Sequence, residues 1–95
     1  MPKGYIVSRV DIKDPQAYAR YAEAGTKAIA LHGGKVLARG GRHEALEGPA
    51  RQRNVVLEFE SFEAARKYFH SAEYQAAKAH REGAAEMEIV LVEGV

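Results

Sequence analysis

Four short runs of strand-favouring residues alternate with longer segments of helical periodicity, and this order constrains the fold more than any other feature of the chain. The strand-like runs are Tyr5 to Val10, Lys35 to Arg39, Arg53 to Phe59 and Met87 to Val92. They are rich in β-branched, aromatic or other apolar residues and lie next to glycine, proline or polar residues. The pattern predicts four strands.

Two helical segments lie between these runs. Asp14 and Pro15 predict the start of the first, because an Asp side chain can cap free backbone N–H groups and proline is tolerated at the first helical position. Gly25 lies in its apolar stripe at a cost of about 1 kcal/mol in helix propensity, so we expect another element to approach closely there. Ser61 is typical of a helix cap, and Ser71 resembles a second start, which predicts a bend near that residue.

The resulting β-α-β-β-α-β order predicts an α+β fold, the ferredoxin-like sandwich. A split β-α-β arrangement with right-handed crossovers places both helical segments on one side of a four-stranded antiparallel sheet. No linker-like run interrupts the 95 residues, and this length is usual for one domain. We therefore expect a single domain over residues 1–95.

The composition argues against several classes of function. The chain has 14 Lys and Arg against 13 Asp and Glu, a net charge of +1, which provides no general field to attract nucleic acid or anionic lipid. It contains no cysteine, and no run approaches the roughly 20 apolar residues that cross a bilayer. The N-terminus does not resemble a signal peptide, so we expect a cytoplasmic protein with no nucleic-acid or membrane partner.

The predicted strands carry apolar side chains on both sides, although the helices can cover only one face of the sheet. In the last strand Val90 and Val92 lie opposite Ile89, and in the third strand Val56 lies opposite Leu57. An identical sheet is the simplest cover for the second face, which predicts a homodimer through the sheet and a dimeric α/β barrel. The alternative is a monomer with scattered exposed valines.

Several motifs, in a shared order over nearly the whole chain, resemble family 1330 of the domains of unknown function. They are Gly4-Tyr5, Asp14-Pro15 with Tyr18 and Tyr21, Gly33 to Gly41, Leu46-Glu47-Gly48, Arg53 to Phe59, Ala64-Ala65, Ser71 with Glu73-Tyr74, and Arg81. The resemblance implies the dimeric α/β-barrel fold, whose relatives include cofactor-independent monooxygenases, haem-degrading enzymes and lactone isomerases. It implies no particular reaction, because a fold alone does not carry a function.

Four arginines lie around the connection between the second and third strands: Arg39, Arg42, Arg51 and Arg53. One or two of them can clamp a carboxylate or phosphate, since a guanidinium offers a planar pair of donors. Arg39, at a strand end beside two glycines, is the strongest candidate, and Arg53 is a second ligand-binding candidate. The alternative is a solvated loop with surface ion pairs.

Arg9 and Glu58 are predicted to point to the sheet face that we assign to the dimer cavity. Charges buried there must be paired or bound to a ligand. In a functional interpretation Glu58 is a general base or proton relay with Arg9 as its ligand-binding partner. In a structural interpretation the two form an ion pair that fixes the dimer register.

The remaining candidates are His43 and Tyr74. His43 adjoins the arginines and is an acid/base candidate, whereas Tyr74 can present a hydroxyl to a ligand. No two of the four histidines have the i, i+3 or i+4 spacing that places two ligands on one helical face, so we predict no metal site and no cofactor.

Two functional hypotheses follow. The first is a homodimer that binds a small organic molecule, such as an acid or other anion, near Arg39 and Glu58, with acid/base or monooxygenase-type chemistry that needs no cofactor. The second is a non-catalytic dimeric structural or interaction domain. A third, haem or metal binding, predicts an absorbance band or bound metal in the purified protein.

Overall fold

A computed structural model of the chain describes residues 2–95. Strand and helix alternate in the expected order, with the second helical segment divided in two. The elements are β1 (Gly4–Ile12), α1 (Pro15–Leu31), β2 (Lys35–Arg39), β3 (Arg53–Phe59), α2 (Phe62–Phe69), α3 (Ala72–Ala79) and β4 (Ala85–Glu93). None of the helices in the described part is long and apolar enough to span a membrane.

Side-chain caps set the starts of the helices, as the sequence predicts. The Asp14 carboxylate accepts from the backbone N–H groups of Gln16 and Ala17, and Pro15 is the first residue of α1. Ser61 caps α2, and Ser71 caps α3 through a hydrogen bond from the Tyr74 N–H. The predicted bend near Ser71 is therefore confirmed as the boundary between α2 and α3.

The four strands form one antiparallel sheet in the order β2-β3-β1-β4. This order is that of the ferredoxin-like fold, so the predicted α+β class is confirmed. Because side chains alternate along a strand, one face of the sheet carries Ile6, Leu57 and Phe59, which pack with the helices in the core. We call the opposite side the helix-free face.

The first helix packs mainly against α3 and less closely against the sheet. The strands have their close backbone contacts with α2, whereas the extensive contacts of α1 are with α3. Two polar contacts join α1 or its cap to α3: the Tyr21 and Tyr74 hydroxyls lie 2.8 Å apart, and His32 Nε2 lies 2.9 Å from Glu73 Oε1. Space therefore remains between α1 and the sheet.

The helix-free face is apolar at its centre. Val56, Val7 and Val90 lie side by side on three neighbouring strands, and Tyr5 and Val92 form the next pair along β1 and β4. Val90 is 56% exposed and Val92 48% exposed in the single chain. The sequence prediction of apolar residues on a face without helices is thus confirmed.

An ion-pair cluster attaches the end of the 40–52 connection to the sheet. The guanidinium of Arg51 donates to Asp11 on β1 at 2.9 Å, to Glu86 on β4 at 3.3 Å, and to Glu88 on β4. Asp11 also accepts from the backbone N–H of Gln52 at 2.8 Å, and this bond, followed by Arg51, lowers the pKa of its carboxyl. Lys13 and then Arg51 lower the pKa of Glu86.

These lowered pKa values predict an acid-sensitive contribution to stability. A carboxyl whose pKa is lower in the folded state stabilises the fold above its unfolded pKa of about 4, and this contribution is lost as the pH falls through the folded value. We expect Arg51→Met to lower the urea midpoint near pH 6 and to flatten its decline between roughly pH 5 and pH 3. The exposed Arg20→Met is the control, and an equal pH slope in all three proteins would contradict the assignment.

Candidate functional site

A cleft with an enclosed volume of about 60 Å³ lies between α1, the α2–α3 segment and the helix-facing side of the sheet, and it opens to solvent. The enclosed part alone has room for a few water molecules, and a larger molecule would extend through the open side. Its apolar wall includes Ile6, Ile29, Leu57, Phe69 and Ile89, and its polar groups are Ser8, Tyr18, Tyr21, Thr26, Arg39, Arg53, Tyr68 and Tyr74. Apolar walls with a few polar groups are typical of sites for organic ligands.

A β-bulge directs Arg39 into this cleft. Along β2, Val36 is opposite Leu57 but Ala38 is opposite Val56, so Leu37 is an extra residue in the ladder. The shift places Arg39 opposite Val55, whose side chain lines the cleft. Without the bulge the alternation of the strand would turn Arg39 toward the helix-free face.

Arg39 and Arg53 together make one end of the cleft cationic. Arg39 Nη1 donates to Thr26 Oγ1 at 3.3 Å, and the Arg53 guanidinium lies over the Tyr18 ring, 5.6 Å from its centroid. The buried Nε of Arg53 has no hydrogen-bond partner among the described residues. Neither arginine forms an ion pair within residues 2–95, so both charges are available to an anion.

Gly40 makes room for one of these guanidinium groups. Its φ of +66° is a conformation that glycine adopts readily, and a Cβ at this position would lie 2.5 Å from Arg53 Nη1. The glycine after β2 therefore has a specific role, because it lets backbone and guanidinium approach each other.

The tyrosines of the cleft are proton donors. Burial is the main factor that raises the pKa of Tyr21 and Tyr68 above the ordinary value, so both phenols are protonated at neutral pH. Over the described range no carboxylate or imidazole lines the cleft. The arrangement can bind an anion and donate hydrogen bonds, but it provides no conventional general base.

Of the residues predicted from the sequence, the cleft brings together Arg39, Arg53 and Tyr74, whereas Glu58 lies elsewhere. The expectation of a ligand site near both Arg39 and Glu58 is wrong, because Glu58 points to the helix-free face. There it accepts a hydrogen bond from the Tyr5 hydroxyl at 3.0 Å.

The expected pair between Arg9 and Glu58 is also not formed. Both lie on the helix-free face, but Arg9 is opposite Asn54, four positions along β3 from Glu58. The Arg9 guanidinium instead donates to the carbonyl oxygen of Pro49 at 2.7 Å. The strand register separates the two charges and thus excludes the pair within one chain.

His43 lies in the exposed 40–52 connection, away from the cleft. Its Nδ1 is 3.3 Å from the Gly41 carbonyl oxygen, and it borders a shallow depression with Arg9 and Asn54. No group of three or more His, Asp or Glu side chains in residues 2–95 could hold a metal ion.

Sequence reasoning missed Ser8, Tyr21 and Arg81. Ser8 is 7% exposed on the strand face that otherwise carries Ile6 and Val10, and a polar residue in such a row was a usable signal. Tyr21 has the helical spacing of a residue packed in the core, so the sequence does not distinguish it from one that lines a cleft. Arg81 lies 7 residues after Tyr74, beyond the end of α3, and only the packing shows that both meet Tyr21.

The expectation for Gly25 is wrong as well. A Cβ on this buried residue would have no heavy atom of the described chain within 4 Å, so none of the elements named above approaches it closely. Gly25 instead lines the cleft and leaves it wider.

The fold and this cleft define a ferredoxin-like α+β protein with an apolar, partly cationic cleft between sheet and helices. The chain belongs to the family described as a domain of unknown function (DUF1330), whose model matches residues 3–95. The family predicted from the sequence is thus confirmed. No curated protein matches the chain.

Solved structures share this fold at low sequence identity. A protein of unknown function from Rhodopseudomonas palustris is 21% identical with a TM-score of 0.78, covering 99% of this chain and 83% of its own. A dimeric ferredoxin-like protein of unknown function from Thermobifida fusca is 15% identical, with a TM-score of 0.66 and coverage of 97% and 91%. SnoaB, a cofactor-independent oxygenase from Streptomyces nogalater, is 11% identical, with a TM-score of 0.62 and coverage of 97% and 92%.

The open space beside Gly25 predicts that Gly25→Ala stabilises the fold. The new methyl group meets nothing, and alanine has a helix propensity about 1 kcal/mol better than glycine, so the free energy of unfolding should rise by up to about 1 kcal/mol. Urea unfolding at fixed protein concentration measures this. Gly41→Ala, in the exposed connection, should gain no helix propensity, and a loss of stability in Gly25→Ala would show that a neighbour does pack closely there.

Proposed function

We propose that this protein binds a small organic acid in the cleft, with the acid group held by Arg39 and Arg53 and the apolar part against the aromatic wall. The observation that carries the proposal is the cationic end of the cleft, where neither Arg39 nor Arg53 has a carboxylate partner among the described residues. A charged group out of water is stable only with a counter-charge or hydrogen bonds. An anionic ligand supplies both.

A cofactor-independent reaction, of acid/base or monooxygenase type, is our chemical hypothesis for this site. SnoaB supports it as a fold relative described as a cofactor-independent oxygenase. In the cleft the tyrosine hydroxyls would serve as proton donors and the arginines would hold the substrate. Glu58 and His43 would take no part in a reaction within one chain's cleft, since neither lines it.

We propose further that two chains pair through the helix-free face. The row of Val56, Val7 and Val90 is an apolar centre, and charged side chains such as Arg9, Glu58 and Glu88 surround it. The Thermobifida fusca relative is described as dimeric. Pairing of two such faces is isologous and leaves both clefts on the outer, helix-covered sides.

Benzoate is a suitable probe of the anion site. We expect it to shift the amide NMR signals of residues along the cleft, and its neutral isostere benzamide to bind at least about tenfold more weakly, because a charge-assisted hydrogen bond contributes about 1.5–3 kcal/mol. Arg53→Met should weaken benzoate binding by about the same factor. Shifts confined to other parts of the surface would contradict the site.

Two controls separate ligand binding from folding and pairing. Arg20→Met removes an exposed charge from α1, and Glu58→Gln changes only the helix-free face; both should bind benzoate like the unaltered protein. Unchanged affinity in Arg53→Met would show that Arg53 does not hold the acid group, and no benzoate binding by an intact dimer would favour the non-catalytic, structural domain.

The dimer is tested by sedimentation at micromolar concentration. Val90→Lys places a charge in the apolar row without disturbing the core, since Val90 is already 56% exposed in the single chain, so we expect the sedimenting mass to fall to that of one chain. Leu31→Lys is the matched control, because Leu31 is an exposed apolar residue at the end of α1. A single-chain mass for the unaltered protein would exclude the dimer.

A further inference from the structure

Tyr21, Tyr74 and Arg81 form a hydrogen-bonded trio at the side of the cleft where α1 meets α3. The Tyr21 and Tyr74 hydroxyls lie 2.8 Å apart, and Arg81 Nη2 lies 3.5 Å from the Tyr74 hydroxyl. The same guanidinium lies over the Tyr21 ring, 5.1 Å from its centroid. Both hydroxyl-bearing residues line the cleft.

The cation favours one direction for the hydrogen bonds in this trio. Arg81 is always protonated and can only donate, so the Tyr74 oxygen accepts. A hydroxyl that accepts from a cation becomes a stronger donor, which favours donation from Tyr74 to the oxygen of Tyr21. Tyr21 then has its own proton to donate into the cleft.

Arg81 has no acidic partner within residues 2–95. It forms no ion pair with any carboxylate in the described part of the chain, and its buried Nε lacks a hydrogen-bond partner there. A cation that only supported two tyrosine hydroxyls would leave this charge uncompensated. An oxygen anion in the cleft, reached through the two hydroxyls, would compensate it.

We propose that Tyr21, Tyr74 and Arg81 form an oxyanion-binding subsite that takes the phenolate or enolate oxygen of the ligand. The inference rests on the proposed cleft and narrows its ligand to an organic acid that also carries a phenol or an enolisable carbonyl group. Arg39 and Arg53 hold the acid group, and the trio holds the second oxygen. Tyr21 is the direct donor, whereas Arg81 acts through the two hydroxyls as a positioning residue.

The probe for this subsite is 4-nitrophenol, whose phenolate absorbs visible light. If the subsite favours the anion, the protein binds the phenolate more tightly than the phenol, and each tenfold preference lowers the pKa of the bound probe by one unit. We expect a drop of about one unit, measured from phenolate absorbance during pH titrations with saturating protein. Tyr21→Phe and Arg81→Met should each abolish most of this shift.

Tyr5→Phe is the matched control, because its hydroxyl bonds to Glu58 on the helix-free face, away from the cleft. The Tyr5→Phe protein should lower the pKa of bound 4-nitrophenol as much as the unaltered protein does. Its sedimentation should also be unchanged. Tyr21→Phe removes a single oxygen atom and keeps the ring that packs in the cleft, so its folding can be checked independently by urea unfolding. A shift that survives in a folded Tyr21→Phe overturns the proposal.

The benzoate and 4-nitrophenol experiments test the anion site and the oxyanion subsite independently. Benzoate binding that depends on Arg53, together with an unshifted pKa or no binding of 4-nitrophenol at millimolar concentration, would overturn the subsite and leave the anion site standing. A Tyr21-dependent shift without benzoate binding would support the trio and remove the role proposed for Arg39 and Arg53.

Discussion

The packing of tyrosine and phenylalanine rings between the helices and the sheet determines the shape of this protein. Tyr68 lies 4.9 Å from Phe59 and 5.0 Å from Tyr74 between ring centroids, and Tyr74 in turn contacts Tyr21. Such rings bury large apolar areas, but their hydroxyl tips must stay hydrogen-bonded or wet. This requirement is consistent with α1 leaning on α3 instead of closing onto the strands, and a cleft remains beneath it.

The alternation of side chains along the strands then separates two kinds of surface. One face of the sheet supplies the floor of the cleft, and the other carries the central valines of the proposed dimer contact. The Leu37 bulge changes this assignment locally, because it moves Arg39 from the helix-free face to the cleft. A single extra residue thus adds a second positive charge beside Arg53.

The described side chains of the cleft offer positive charge and hydrogen-bond donors but no conventional base. The cleft contains guanidinium groups and protonated phenols but no carboxylate or imidazole from the described chain. Such a site can recognise oxygen anions, and it leaves removal of a proton to the ligand, a co-substrate or solvent. The shared fold with SnoaB and with proteins of unknown function does not select one reaction, whereas this donor pattern limits the ligands that fit.

The sequence by itself determined the elements, their order and the family. Caps such as Asp14 and Ser71, and the period-two pattern of the strands, are local features, so they could be read without the fold. The two-sided apolar pattern of the strands likewise pointed to a helix-free face with apolar residues. The candidate site was only half predicted: Arg39, Arg53 and Tyr74 line the cleft, but Glu58, Arg9 and His43 do not.

Only the tertiary structure decided which distant side chains meet. The register of β1 against β3 separates Arg9 from Glu58, and the packing of α1 against α3 joins Tyr21 to Tyr74 across 53 positions of sequence. A glycine at position 25, in the apolar stripe of a helix, looks the same in the sequence whether a neighbour or open space lies beside it. Local patterns report how each segment folds, whereas the contents of a cleft depend on register, bulges and the separation of layers, which arise from contacts remote in sequence.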